Sequence, residues 1–139
     1  MPLSFIPKTR QRGAMQLSFS TLPGTYAITR LPADAALPDW FDGPGLCSAT
    51  RGVDELSLVC AADRVPTELE TEAGWTALRV DTLAQLDEAG VVMAAVTPIS
   101  SAGYGVFVLS THLRDYLLVR HDHLSDIAEL LRTEGHSVA

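Results

Sequence analysis

An α+β fold, antiparallel strands covered by helices on one side, is what this sequence predicts, and three observations carry that expectation. Short alternating runs of strand formers, bounded by Pro, Gly and Asp, recur along the chain. Val92, Ala95, Val96, Ile99 and Ala102 recur instead at helical spacing, so one face of that stretch packs on a sheet. A second amphipathic stretch, with Leu124, Ile127, Ala128 and Leu131 inward, ends at Gly135. A chain of 139 residues suits one compact domain or two half-sized units sharing a core, and its 47% hydrophobic content argues against disorder.

Leu17 to Phe19 reads as a short strand, followed by a turn at Pro23-Gly24. Tyr26 to Leu31 is a second strand. Pro32 to Pro44, dense in Pro, Asp and Gly, is a loop with room for one helical turn at 37–41. Leu46 to Thr50 and Glu55 to Cys60 form a hairpin around Arg51-Gly52-Val53-Asp54. A polar, irregular stretch from Arg64 to Gly74 leads to a strand over Trp75 to Val80.

The second half is more regular. Asp87 and Glu88 precede the first helix, where negative charge suits the macrodipole. Pro98 lies inside it and kinks it or costs about 3 kcal/mol of intrahelical stability. Gly103 ends it, and Tyr104 to Leu109 has the continuous apolar character of a central strand. A tight turn, Ser110 to Asp115, leads into Tyr116-Leu117-Leu118-Val119, and Asp122 caps the last helix. Strand, helix, strand, strand, helix is the ferredoxin-like split βαβ order, with its last strand short or missing after His136. The halves also echo each other. Thr50 to Leu58 aligns with Thr111 to Val119, each with Thr, three residues, Asp and an apolar strand. The first half lacks the long helix, so a degenerate unit precedes a full one.

Composition excludes several functions. Seventeen acidic against ten basic residues, net charge −7, disfavour nucleic acid, which needs clustered Lys and Arg. No apolar run reaches membrane-spanning length. The segment before Met15 holds Lys8, Arg10 and Arg12 without an apolar leader core, which points to a loosely held arm and a cytoplasmic protein. Cys47 and Cys60 match no metal or redox spacing; they read as buried thiols, with a disulfide across paired strands as the alternative. His121, His123 and His136 lack ligand spacing and read as solvated surface side chains, and Trp40 and Trp75 as core or interface anchors. No nucleophile elbow, phosphate loop or zinc-protease motif is present. Ser110 with His112 is a hydroxyl–base pair that nothing orients.

From Pro23 onward the chain resembles the ACT-domain family, and within it tandem bacterial proteins related to the animal cytosolic arginine sensors. The resemblance rests on Leu22-Pro23-Gly24-Thr25-Tyr26-Ala27, Leu37-Pro38-Asp39-Trp40, Asp54 to Cys60, Gly74-Trp75, Gly90-Val91-Val92, Pro98, Ala102-Gly103, Ser110-Thr111, Asp115 to Val119 and Gly135-His136. It implies two tandem ferredoxin-like, ACT-like units that bind amino acids or similar metabolites at their interfaces without catalysis. It also implies a pocket carboxylate before the main helix and a Thr and Asp in the strand-connecting turn, which fall on Glu88, Thr111 and Asp115. His112 stands where those relatives place an aromatic after the Thr. His112-Leu113-Arg114 replaces the Tyr-Asp-Thr frequent in the bacterial relatives.

The residues support a site of that kind on their own chemistry. An amino acid needs a carboxylate for its ammonium and N–H donors for its carboxylate. Glu88 and Asp115 can supply the first, Gly90 and the first helical turn the second, and Thr111 a hydroxyl. The plainer readings are a helix-start charge for Glu88, a turn-closing side chain for Asp115, and an ion pair in which Arg114 cancels Asp115. The sequence thus predicts an arm over residues 1–14, a degenerate unit over 15–74 and a full unit over 75–139. It predicts a non-enzymatic ligand sensor with Glu88, Gly90, Thr111, His112 and Asp115 at its site. No cofactor or metal is expected; a homodimer and a separate protein target are. The alternative is a protein-interaction module with a vestigial pocket, since unpaired sheet edges invite pairing.

Overall fold

A computed structural model describes residues 15–139, and the expected arm over 1–14 lies outside the described residues. The elements in order are β1 (Ser18–Thr21), β2 (Tyr26–Leu31), β3 (Ser48–Arg51), β4 (Leu56–Ala61), β5 (Thr71–Val80), α1 (Val91–Ser101), β6 (Phe107–Ser110), β7 (Asp115–Arg120), α2 (Leu124–Thr133) and β8 (Ser137–Val138). The fold is α+β, as expected, but the strands form one eight-stranded sheet rather than a sheet for each unit.

The ten-residue strand β5 is the reason. Its first half pairs with β2 through Thr29↔Thr71 and Ile28↔Glu72, completing a sheet half ordered β3-β4-β2-β5. Its second half pairs with β7 through Trp75 to Arg79 on one edge and with β1 through Leu78 to Val80 on the other. The register slips between the Ile28 and Tyr26 pairings, where Gly74 has φ +85° and supplies the left-handed residue of a β-bulge. Residues 71–74, expected as irregular, are therefore strand; their charge and glycine hide it from an apolar pattern. The short β8 lies parallel to β1, so the first strand of the chain is built into the sheet beside the last.

Both helices cover one face. Leu17, Phe19, Leu78, Val80, Leu117 and Val119 meet Ala95 and Ile99 of α1 and Ile127 and Leu131 of α2 there. By strand register Leu56, Leu58 and Cys60 of β4 lie on the same face. There the Pro-rich loop stands in for helices, packing Phe41, Trp40 and Ala35 against them. Tyr26, Val59, Ala77 and Leu118 form a smaller cluster on the opposite face.

Several local expectations change. In α1 the buried row is Ala95 and Ile99 with half-buried Val91, whereas Val92 is 40% exposed and Ala102 is also exposed. Among the described residues β6 is bonded only to β7, so it is an edge strand and not a central one, and each of its apolar side chains is half-buried. Asp122 sits in a short 3-10 turn, and α2 starts from His123 with no side-chain cap. The expected match of Thr50 with Thr111 and of Asp54 with Asp115 is displaced in the structure. Gly52 N–H donates to the Glu55 carbonyl as Thr111 N–H donates to that of Arg114, so Gly52 is the counterpart of Thr111 and Leu56 of Asp115.

Both helices end in Schellman turns. Tyr104 N–H reaches the Ile99 carbonyl and Gly103 N–H that of Ser100; His136 N–H reaches Leu131 and Gly135 N–H reaches Arg132. Gly103 and Gly135, at φ +93° and +96°, occupy the left-handed position these turns require. The second turn places His136 inside the core, 6% exposed, which corrects its reading as a surface side chain. Its Nδ1 accepts the Leu17 N–H at 2.9 Å, and Nε2 donates to the Ala94 carbonyl at 3.2 Å. Ala94 lies four residues before Pro98, which has no N–H to offer it. His136 therefore supplies the donor that proline removes, and helix α1 runs through Pro98 to Ser101.

Candidate functional site

The site lies where α1 begins beside the β6–β7 turn. Ser110↔Asp115 is the last strand pair, and the turn beyond it is closed twice by Thr111. Thr111 N–H donates to the Arg114 carbonyl at 2.9 Å; its hydroxyl donates to the same carbonyl at 2.8 Å and accepts Arg114 N–H at 3.2 Å. Across from the turn, residues 85–88 make a smaller one. Glu88 N–H donates to the Gln85 carbonyl at 3.0 Å and Glu88 Oε1 accepts Gln85 N–H at 3.1 Å. Gly90, at φ +91°, then swings the chain into α1, whose start has no side-chain cap. The first N–H groups of a helix lack intrahelical partners, so this end is a donor set with a partial positive charge.

Between these elements is an open cleft of about 240 Å³. Glu88, Gly90, Thr111, His112 and Asp115 all line it, so the fold brings every one of the sequence-derived site residues to one place. Asp115 is half-buried, and its Oδ1 accepts the Ser110 hydroxyl at 2.5 Å. Glu88 and His112 are exposed. The Thr111 hydroxyl is engaged in its own turn, so the polar groups best placed to meet a guest are the two carboxylates, His112 and the helix N–H groups.

Arg114 also lines the cleft, but its partner is not Asp115. Its Nη1 donates to the Val80 carbonyl at 3.3 Å and lies 3.5 Å from Asp81 Oδ1. Asp81 also accepts Arg79 Nε at 2.7 Å and the Ser20 hydroxyl. Burial works to raise the Asp81 carboxyl, but the Ser20 and Arg79 hydrogen bonds and the Arg79 and Arg114 charges together hold it below the ordinary carboxylate range. Among the described residues Asp115 is thus left without a cation, and Asp81, at the end of β5, is the residue that sequence reasoning missed. A carboxylate directly after a strand, flanked by Arg79 and Thr82, was the available signal.

The rim is apolar. Leu86 (72% exposed), Met93 (66%) and Leu113 (56%) surround the cleft together with Val92. Among the described residues no group of three or more His, Cys, Asp or Glu is placed to hold a metal ion, and no helix is long and apolar enough to cross a membrane.

Comparison with known proteins agrees with this architecture. The crystal structure of Atu0741 from Agrobacterium tumefaciens matches at 41% identity and a TM-score of 0.86, covering 91% of this chain and 94% of that one. This chain belongs to the Atu0741 family. Within this Atu0741-family chain, residues 70–133 match the ACT domain and residues 24–68 match the profile of an N-terminal domain. VC0802 of Vibrio cholerae, a protein of unknown function, matches at 18% identity and TM-score 0.69, over 86% of this chain and 90% of its own. The regulatory subunit of aspartate kinase from Thermus thermophilus matches at 10% identity and TM-score 0.57, over 84% of this chain and 95% of its own. Both share the fold. None of the curated proteins matches.

Proposed function

We propose that this protein is a non-catalytic sensor whose cleft between α1 and the β6–β7 turn binds a free amino acid. The observation that carries the reading is the pairing, in one cleft, of an uncapped helix start and two carboxylates that have no cation partner among the described residues. An ammonium group meets Asp115 and Glu88; a carboxylate meets the N–H groups of the first turn of α1. The ACT domain over residues 70–133 and the fold shared with an aspartate kinase regulatory subunit support a regulatory, ligand-binding role. The sequence resemblance to proteins related to the arginine sensors, which rests on motifs alone, makes a basic amino acid the first compound to try. The same reading carries a cytoplasmic homodimer that passes its signal to a separate protein. The homodimer's support is the edge of β6 beside the cleft, unpaired among the described residues, and the apolar rim.

A second reading, a protein-interaction module, is favoured by that rim alone. Thermal unfolding of the purified protein against each of the twenty amino acids separates the two. At about 100 times its Kd a ligand adds roughly 2.7 kcal/mol of stability, a shift of several degrees for a domain this size. The sensor reading expects such a shift with one amino acid and its loss in Asp115→Ala and Glu88→Ala, which still fold. No shift with any of the twenty, together with self-association that Met93→Asp abolishes, would establish the interaction module instead.

A further inference from the structure

The two cysteines lie outside the cleft lining, in the helix-free half, beside a guanidinium that has no carboxylate partner among the described residues. Strand register pairs Ser48 with Val59, so the next position sets Cys47 opposite Cys60, and both sulfurs join the cluster under the Pro-rich loop. Both are free thiols; Cys60 is 1% exposed and Cys47 is half-buried. Arg64 reaches in from the turn after β4. Its Nη2 donates to Cys47 Sγ at 3.4 Å and its Nη1 to the Pro44 carbonyl at 3.1 Å, while Nε is buried without a partner. The guanidinium lies so close against Gly43 that a Cβ there would fall 2.7 Å from Nη1. Arg64 as a whole is half-buried, and among the described residues no carboxylate pairs with it.

We propose that Cys47 and Cys60 form a thiol–disulfide exchange site, with Cys47 the attacking sulfur, Cys60 the resolving sulfur and a small-molecule disulfide the co-reactant. In exchange, negative charge spreads over the attacking, central and leaving sulfurs. Arg64 is the positioned group that meets this charge at Cys47, and its unpartnered N–H has spare donor capacity for it. The Cys47 thiolate attacks one sulfur of the small disulfide, forming a mixed disulfide and releasing one small thiolate. Cys60 then gives up its proton and attacks the Cys47 sulfur. The Cys47–Cys60 bond forms and the second small thiolate leaves with that proton, so two protein thiols are oxidised as one disulfide is reduced. The burial difference assigns the roles. Burial pushes the Cys60 thiol up against the opposing pull of Arg64, with Cys47 and Asp63 adding to the rise. Cys60 therefore holds its proton until a mixed disulfide forms beside it.

The test is native-state reaction with oxidised glutathione at neutral pH, followed by intact-mass spectrometry. The wild-type protein is expected to pass through a single glutathione adduct to a species two hydrogens lighter. Cys60→Ser is expected to stop at the adduct on Cys47, and Cys47→Ser to form none. Loss of one charge-assisted hydrogen bond in Arg64→Gln should slow adduct formation about tenfold, and Arg64→Lys should retain most of the rate. Far-UV circular dichroism confirms that each variant is folded; should Arg64→Gln unfold, the two cysteine variants and Arg64→Lys decide. Reaction only in denaturant, first attack at Cys60, an adduct that persists in the wild type, or an Arg64→Gln rate equal to wild type would overturn the assignment.

Discussion

The turn at 52–55 and the turn at 111–114 are built alike yet bound different neighbours. Each is closed by one backbone bond beyond the last strand pair, Arg51↔Leu56 in one and Ser110↔Asp115 in the other. In the helix-free unit the position of Asp115 is held by Leu56, 1% exposed, and that of Ser110 by Arg51. The Arg51 guanidinium grips the carbonyls of Ala33 and Ala35, which draws the Pro-rich loop towards the hairpin. In the helix-covered unit a helix begins beside the turn instead. A cleft lies between that helix start and the turn. One hairpin design thus carries a buried leucine where a loop covers it and borders a cleft where a helix does.

The comparison can be broken most strongly through the cores. Ile99→Ala under α1 should cost about 2–5 kcal/mol, and Phe41→Ala under the loop about 3–5 kcal/mol. Because β5 belongs to both halves, urea unfolding should show one shared transition moved in each variant; two separate transitions would mean the halves fold independently. Next comes the device peculiar to the helix-covered half. His136→Ala strands the Leu17 N–H and the Ala94 carbonyl, at a cost of about 2–4 kcal/mol. Pro98→Ala gives that carbonyl a partner within the helix, so it should restore roughly 1 kcal/mol in the His136→Ala background and much less in the wild type. Equal effects in both backgrounds would disconnect the two residues.

Smaller effects follow. Gly103→Ala meets nothing within 4 Å, yet forces an alanine to φ +93°, so about 1–2 kcal/mol should be lost to backbone strain alone. Asp81→Asn should cost about 1 kcal/mol or less near neutral pH, as expected for a partly exposed ion pair. Its acid dependence tells more. The folded protein holds this carboxyl below its unfolded value of about 3.9. Its contribution is therefore complete above that value and lost as pH falls through the lowered folded one. Wild type and Asp81→Asn should accordingly converge in stability as acid is added below about pH 4, and parallel curves would show that the ties from Ser20 and the two arginines do not act on Asp81.

Much of this was legible in the chain. Period-two runs and the helical spacing after Gly90 are local signals, and they place β2, β4, β7 and both helices. The family resemblance pointed to Glu88, Thr111 and Asp115; with Gly90 and His112 they line one cleft because they belong to a helix start and a tight turn that the fold sets side by side. Features made by distant partners were not legible. β5 extends to Thr71 through Glu72 and Gly74 because β2 lies beside it, which no apolar pattern announces. His136 looks like a surface residue until Pro98, far away in sequence, requires a donor. Arg114 beside Asp115 suggests a local ion pair, but Asp81 lies across the sheet and competes for it.

The central claim is that the helix-covered turn binds a ligand and its helix-free twin does not. The most direct measurement is an amide NMR titration of the isotopically labelled protein with the amino acid that most raises its unfolding temperature, or with L-arginine should none do so. The account predicts saturable shifts at Gly90 to Met93 and Ser110 to Asp115, with Arg51 to Leu56 unmoved, and their loss in Asp115→Ala. Shifts centred on Arg51 to Leu56, or no shift in either turn at saturating ligand, would contradict it.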